Sequence, residues 1–118
     1  MKSVRPIFEV TPAAFQVLVA LAAGEAHGYA VMRFVQQLTD GAVRLAPGTL
    51  YRTMARLVAD GLVEETEQTD PRAPHDARRR YYRLTRLGRR AAREEASMLS
   101  RLVAAAESAG LLAAKGSR

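Results

Sequence analysis

The chain has 118 residues, 18 of them Lys or Arg against 12 acidic, for a net charge of +6. That length builds one modest core rather than two, and the positive balance favours a polyanionic partner. The absence of Cys excludes disulfides, thiolate metal sites and cysteine nucleophiles, and agrees with a cytoplasmic protein; the longest apolar run, 17–23, is far too short for a membrane span.

Residues 1–10 read as an N-terminal arm, either packed on a partner subunit or frayed. Thr11 and Pro12 then give a helix start, N-cap followed by first-turn proline. Phe15, Leu18, Leu21 and Ala22 follow at helical spacing, widened by Val17 and Val19, so this helix is expected to be buried on most sides until Gly24 ends it. His27, Gly28 and Tyr29 open a second helix to about Leu38. Its buried face is expected to hold Ala30, Val31, Phe34, Val35 and Leu38, leaving Arg33, Gln36 and Gln37 for solvent or DNA phosphate. Asp40 and Gly41 make a turn, and 42–46 an extended link.

Pro47 to Gly61 is the organising stretch. Leu50, Met54, Leu57 and Val58 fall on one face of a helix, and Thr49, Arg52, Thr53 and Arg56 fall mainly on the other, with Tyr51 nearby. An ordinary amphipathic surface helix has the same pattern. A short helix that packs by one face and shows Arg, Thr and Tyr on the other also suits a DNA major groove. With the two preceding helices it reads as a helix-turn-helix. After Gly61 the period turns extended: Leu62–Thr69 is an acidic strand and Arg78–Thr85 a basic one, joined by the Pro- and Asp-rich loop 70–77. Opposite charges across an antiparallel pair help it form. A hairpin in this position is a wing, with Arg72, His75 and Arg78 near its tip.

From Arg86 to Ala109 the pattern is helical again. Ala91, Glu95, Met98 and Leu102, widened by Leu99, Val103 and Ala106, form a stripe that can face a second copy of the chain or fold back on its own domain. Residues 110–118 read as a flexible tail. The run 78–93 holds eight Arg and no acid. Arg78, Arg79 and Arg80 are expected at phosphates, and Arg89, Arg90 and Arg93 in solvent. The preference for Arg over Lys suits phosphate and guanine recognition, and is equally what GC-rich coding produces. His27 and His75 fall in different elements, Glu94 and Glu95 point apart on a helix, and no phosphate-loop or metal-ligand spacing occurs. An enzyme is not indicated, and neither a cofactor nor a metal is expected.

Three blocks, HGYAVMRFVQQL, LAPGTLYRTMARLVADGLVEE and RRRYYRLTRLG, together resemble the PadR family of bacterial transcriptional regulators, over roughly residues 11–109. The single C-terminal helix is similar to the family's shorter subgroup. The resemblance implies an α+β, mostly α fold: a winged helix-turn-helix over 11–85 with a C-terminal dimerisation helix over 86–109. It implies a homodimer on double-stranded operator DNA, usually a repressor. Carried over by position, Thr49, Tyr51 and Arg52 face DNA on the recognition helix, Tyr29 touches backbone phosphate, and Arg79 or Arg80 serves the wing; Arg56 joins them from the polar face. Ala46 stands where the family often has a capping Ser. There is no Trp, so stacking of planar drugs between tryptophans at the dimer interface, known in some relatives, is not supported. A small-molecule effector would be sought near Phe8, Phe15, Met98 and Leu102. The rival expectation is a winged-helix protein-interaction module whose basic face is incidental.

Overall fold

The computed structural model describes residues 10–67 and 80–113. Four helices and three short strands follow in the order α1 (Pro12–Ala22), β1 (Ala26–His27), α2 (Gly28–Leu38), α3 (Pro47–Ala59), β2 (Val63–Glu67), β3 (Arg80–Leu84) and α4 (Arg86–Ser108). The expected arm up to residue 9, Phe8 with it, lies outside the described residues, as do Arg72, His75, Arg78, Arg79 and the tail beyond 113.

Each helix starts where its sequence says it should. The Thr11 hydroxyl accepts from the Ala14 N–H at 3.1 Å, ahead of Pro12. His27 caps α2 by accepting the Ala30 N–H on Nδ1 at 3.2 Å. Thr85 caps α4 by accepting from Gly88 at 3.0 Å. Only α3 begins without a side-chain cap, at Ala46.

α1 is the centre of the molecule. Ala14, Val17, Leu18, Ala20 and Leu21 are buried, and the helix packs against α2, α3, α4 and β3. Val31 from α2, Leu50, Met54 and Leu57 from α3, Leu62 and Val63 from the base of the wing, Tyr82 from β3 and Ala91 from α4 complete the core. Burying a Val, Leu or Met side chain contributes about 1.5–3 kcal/mol, so these contacts fix the helix arrangement. The phenol of Tyr82 is pushed up from its ordinary pKa, first by burial and then by the charge of Glu65.

Seven apolar positions depart from the expected stripes. Leu38, Val58 and Ala22 are exposed, and Phe15, Val19, Ala30 and Phe34 are only half-buried. Leu38 and Ala22 close their helices, and the last turn of a helix can rotate clear of the core. Val58 sits at the edge of a stripe whose centre is taken by Leu50, Met54 and Leu57.

The wing is antiparallel, in register Val63↔Leu84 at its base and Glu67↔Arg80 toward its tip. The expected charge match is present: Glu64 lies opposite Arg83, with Nε to Oε2 at 2.7 Å, and Arg80 Nη1 reaches Glu65 Oε2 at 3.0 Å. The two-residue strand β1 adds to the outer side of β3, giving the order β1-β3-β2. Periodicity did not indicate it, because two residues carry no period.

α3 ends in a Schellman turn: the Leu62 N–H bonds Leu57 O at 2.9 Å, and Gly61, with φ of 79°, donates to Val58 O. Thr85 then clamps this turn. Its hydroxyl donates to Gly61 O at 2.6 Å and its N–H to Leu62 O at 3.1 Å. One turn later Gly88 lies flush on the same backbone, where a Cβ would meet Leu62 O at 1.9 Å. A backbone carbonyl cannot swing away as a side-chain tip can. Gly88→Ala should therefore destabilise the fold by about 1–3 kcal/mol or more, read as a lower urea midpoint at unchanged m-value, whereas Gly110→Ala, at a peripheral turn, should cost less.

Candidate nucleic-acid interface

The heads of α2 and α3 come together at the surface. Tyr51, in the first turns of α3, lies on Gly28 at the start of α2: a Cβ at Gly28 would stand 2.9 Å from the Tyr51 hydroxyl oxygen. The glycine makes room for the ring, which stays half exposed. Tyr29 is exposed beside it, parallel to the His27 imidazole at 6.5 Å, and the Arg33 guanidinium lies 5.9 Å from the Tyr29 ring centroid. His27 meets Tyr81 of β3 edge-on at 5.4 Å, so the aromatic cluster joins α2 to the wing. On α3, Arg52 is exposed and its Nη1 lies back toward Gly48, while Thr49 and Thr53 are half-buried.

Both helices start without an acidic residue in the first turn. Their free N–H groups and dipoles make these ends attractive to anions. Tyr29, Tyr51, Arg52 and Arg33 thus share one neighbourhood of hydroxyls, guanidiniums and helix N-termini.

The other two described cations of the expected interface are engaged elsewhere. Arg56 lies one turn further along α3, with Nε 3.7 Å from Oδ2 of Asp60, and Arg80 is paired with Glu65. Both guanidinium groups are exposed, so either arginine can exchange its carboxylate for another anion at small cost.

The expected dimer stripe on α4 divides into two parts. Ala91 departs from the expected stripe: it is 3% exposed within the core of its own chain, so it cannot form part of a surface seam. At this depth α4 faces α1 and the wing, and a small residue there lets the helix approach. Further along, Glu95, Met98, Leu99 and Ala106 are half-buried, while Leu102 and Val103 are 58% and 47% exposed. Of the residues near which an effector was expected, Phe15 and Met98 are half-buried and Leu102 is exposed. A concavity of about 360 Å3 lies elsewhere, at the head of α4, lined by Leu84, Thr85, Arg86, Arg89, Arg90 and Arg93. Sequence reasoning left Arg89, Arg90 and Arg93 in solvent; their i, i+3, i+4 spacing with Arg86 is the signal that groups them.

Three helices, the second and third as a helix-turn-helix, followed by a β-hairpin, define a winged helix. The chain belongs to the transcriptional regulator PadR-like family, whose model matches residues 17–94 and whose members are transcriptional regulators and not enzymes. It is 38% identical to the transcriptional regulator Rv3488 of Mycobacterium tuberculosis over 96 residues, 80% of this chain and 82% of that one. It is 40% identical over 86 residues to an uncharacterised 37.1 kDa protein in transposon TN4556 of Streptomyces fradiae; the match takes 73% of this chain but spans only 22% of that protein. Among solved structures, Bacillus subtilis PadR in complex with operator DNA superposes with a TM-score of 0.60 at 16% identity, over 69% of this chain and 44% of that one. At that identity the likeness is one of fold. Among the described residues no helix is long and apolar enough to cross a membrane.

The uncapped start of α3 gives a test of this local reading. Ala46→Ser should supply the missing N-cap acceptor and raise stability by about 0.5–2 kcal/mol, seen as a higher Tm. An unchanged or lower Tm would mean that the Ala46 backbone, at φ −65° and ψ 146°, does not let a hydroxyl reach the first-turn N–H groups.

Proposed function

We propose that the chain is a sequence-specific regulator that binds operator DNA as a homodimer. In this reading α3 enters the major groove, with Thr49, Tyr51 and Arg52 toward base edges, and Tyr29 meets backbone phosphate. Arg56, Arg79 and Arg80 add phosphate contacts from α3 and the wing. The observation that carries the proposal is the joining of the α2 and α3 heads through Tyr51 on Gly28, both free of acid in their first turns. Family membership and the operator complex of Bacillus subtilis PadR support the choice of DNA over a protein partner. Residues 11–85 then act as the DNA-binding unit and 86–109 as the dimerisation helix. Repression, and release by a small-molecule effector, complete the reading as the family resemblance implies them.

Two measurements address this. Arg52→Ala should narrow the affinity gap between a duplex selected from a random library by the wild-type protein and an unselected duplex, since a base-edge contact contributes about 1–3 kcal/mol of discrimination. Unchanged discrimination would remove α3 as the reading element and favour a protein-docking winged helix.

The exposed Leu102 and Val103, beside the half-buried Met98 and Leu99, support the dimer, because none of the four belongs to the core cluster. Replacing Met98 and Leu102 together by Glu should give particles of one chain's mass in light scattering, with weakened binding to the selected duplex. A persistent dimer would place the interface elsewhere.

A further inference from the structure

Arg86, Arg89, Arg90 and Arg93 occur at steps of three and four and therefore share one stripe of α4. At 100° per residue this stripe points about 180° away from Gly88 and Ala91, the buried residues of the helix. Among the described residues all four side chains are exposed. The four side chains surround a concavity of about 360 Å3 with Leu84 and Thr85, within the range of roughly 300–1,000 Å3 that small-ligand sites occupy.

Two features set this stripe apart from an ordinary solvated face. Arg56, Arg80 and Arg83 each have a carboxylate partner, yet none of these four forms an ion pair among the described residues, although Glu94 and Glu95 are close in sequence. The first turn of α4 holds no acid, so Arg86 and Arg89 add their charge to the positive end of the helix. Guanidinium charges grouped on one stripe repel one another, and a bound anion relieves that repulsion. Guanidinium groups also offer paired donors matched to phosphate oxygens.

The location separates this concavity from the DNA-facing residues. Thr85, one of its walls, is bonded to Gly61 and Leu62 at the tail of α3. At 1.5 Å per residue, the 13-residue helix places that tail roughly 18 Å from its head. The concavity also adjoins the base of the wing, at Leu84, and not the end where Glu67 pairs with Arg80.

We propose that the Arg86–Arg89–Arg90–Arg93 concavity is a binding site for a small anion carrying two or more phosphate groups. The site is independent of the DNA-binding reading, since it uses none of the same residues.

Isothermal titration of the full chain with inorganic triphosphate tests it, against Arg89→Ala/Arg93→Ala and against Arg33→Ala/Arg52→Ala as the control for general basicity. The expected result is saturable binding, one triphosphate per chain. It should weaken at least about tenfold in the α4 variant, each lost charge-assisted contact accounting for that order, and change less than about twofold in the control. Triphosphate should also raise the Tm of the wild type more than that of the α4 variant, which shows that the variant is folded while reporting the loss. Absence of saturable binding, or equal weakening in both variants, overturns the proposal. So does an α4 variant that loses affinity for a selected DNA duplex while wild type takes up no triphosphate, because the stripe would then be a DNA-backbone surface.

Discussion

Burial of one side of α1 holds the rest of the molecule in place. Val17 and Leu18 are fully enclosed, and the helix that carries them touches α2, α3, α4 and β3. Neither α2 nor α3 has a second large apolar face, so each takes its position from α1. Both helices pack on α1, and where their heads meet Tyr51 occupies the gap that Gly28 leaves open. Truncating a buried Leu costs about 2–5 kcal/mol, a large fraction of the about 5–15 kcal/mol that holds a domain folded. A defect in α1 would therefore displace the candidate interface without touching it.

A second constraint acts at the far end of α3. Thr85 serves as N-cap of α4, as donor to Gly61 O and as partner of Leu62 O, and Gly88 allows α4 to lie against the same turn. α3, the wing base and α4 thus meet over a few residues. Charge is arranged differently on either side of this joint. On the sheet, Arg83 and Arg80 are neutralised by Glu64 and Glu65. At the head of α4 the arginines form no ion pair among the described residues, around an open concavity. Among the described residues, Arg33 and Arg52 lie on α2 and α3, and Arg86, Arg89, Arg90 and Arg93 lie together on α4.

Much of this arrangement was legible in the sequence because its causes are local. Thr11–Pro12, Pro47 and Gly61 mark helix ends by backbone geometry alone. The acidic and basic strands announce their pairing by charge. What could not be read depends on contacts between distant segments. β1 exists because β3 lies beside Ala26 and His27. Ala91 belongs to its own core because α4 descends on α1, and spacing could not separate it from Met98 or Leu102 in one continuous stripe. The rest of Tyr51 on Gly28, and the shared concavity of the α4 arginines, likewise require three dimensions. Leu38 and Val58 show the limit of periodicity, which identifies a face but not where the face stops being covered.

The central claim is that this fold presents a surface that reads DNA sequence. Fluorescence anisotropy of the purified chain, with DNA from upstream of its own coding region beside a random duplex of equal length, each at two salt concentrations, tests that claim most directly. The account predicts tight, competitor-resistant binding to the upstream duplex and a steep loss with salt for the random one, whose hold is mostly electrostatic. Equal, salt-sensitive binding to both duplexes would contradict it and leave a basic winged helix with no sequence-reading surface.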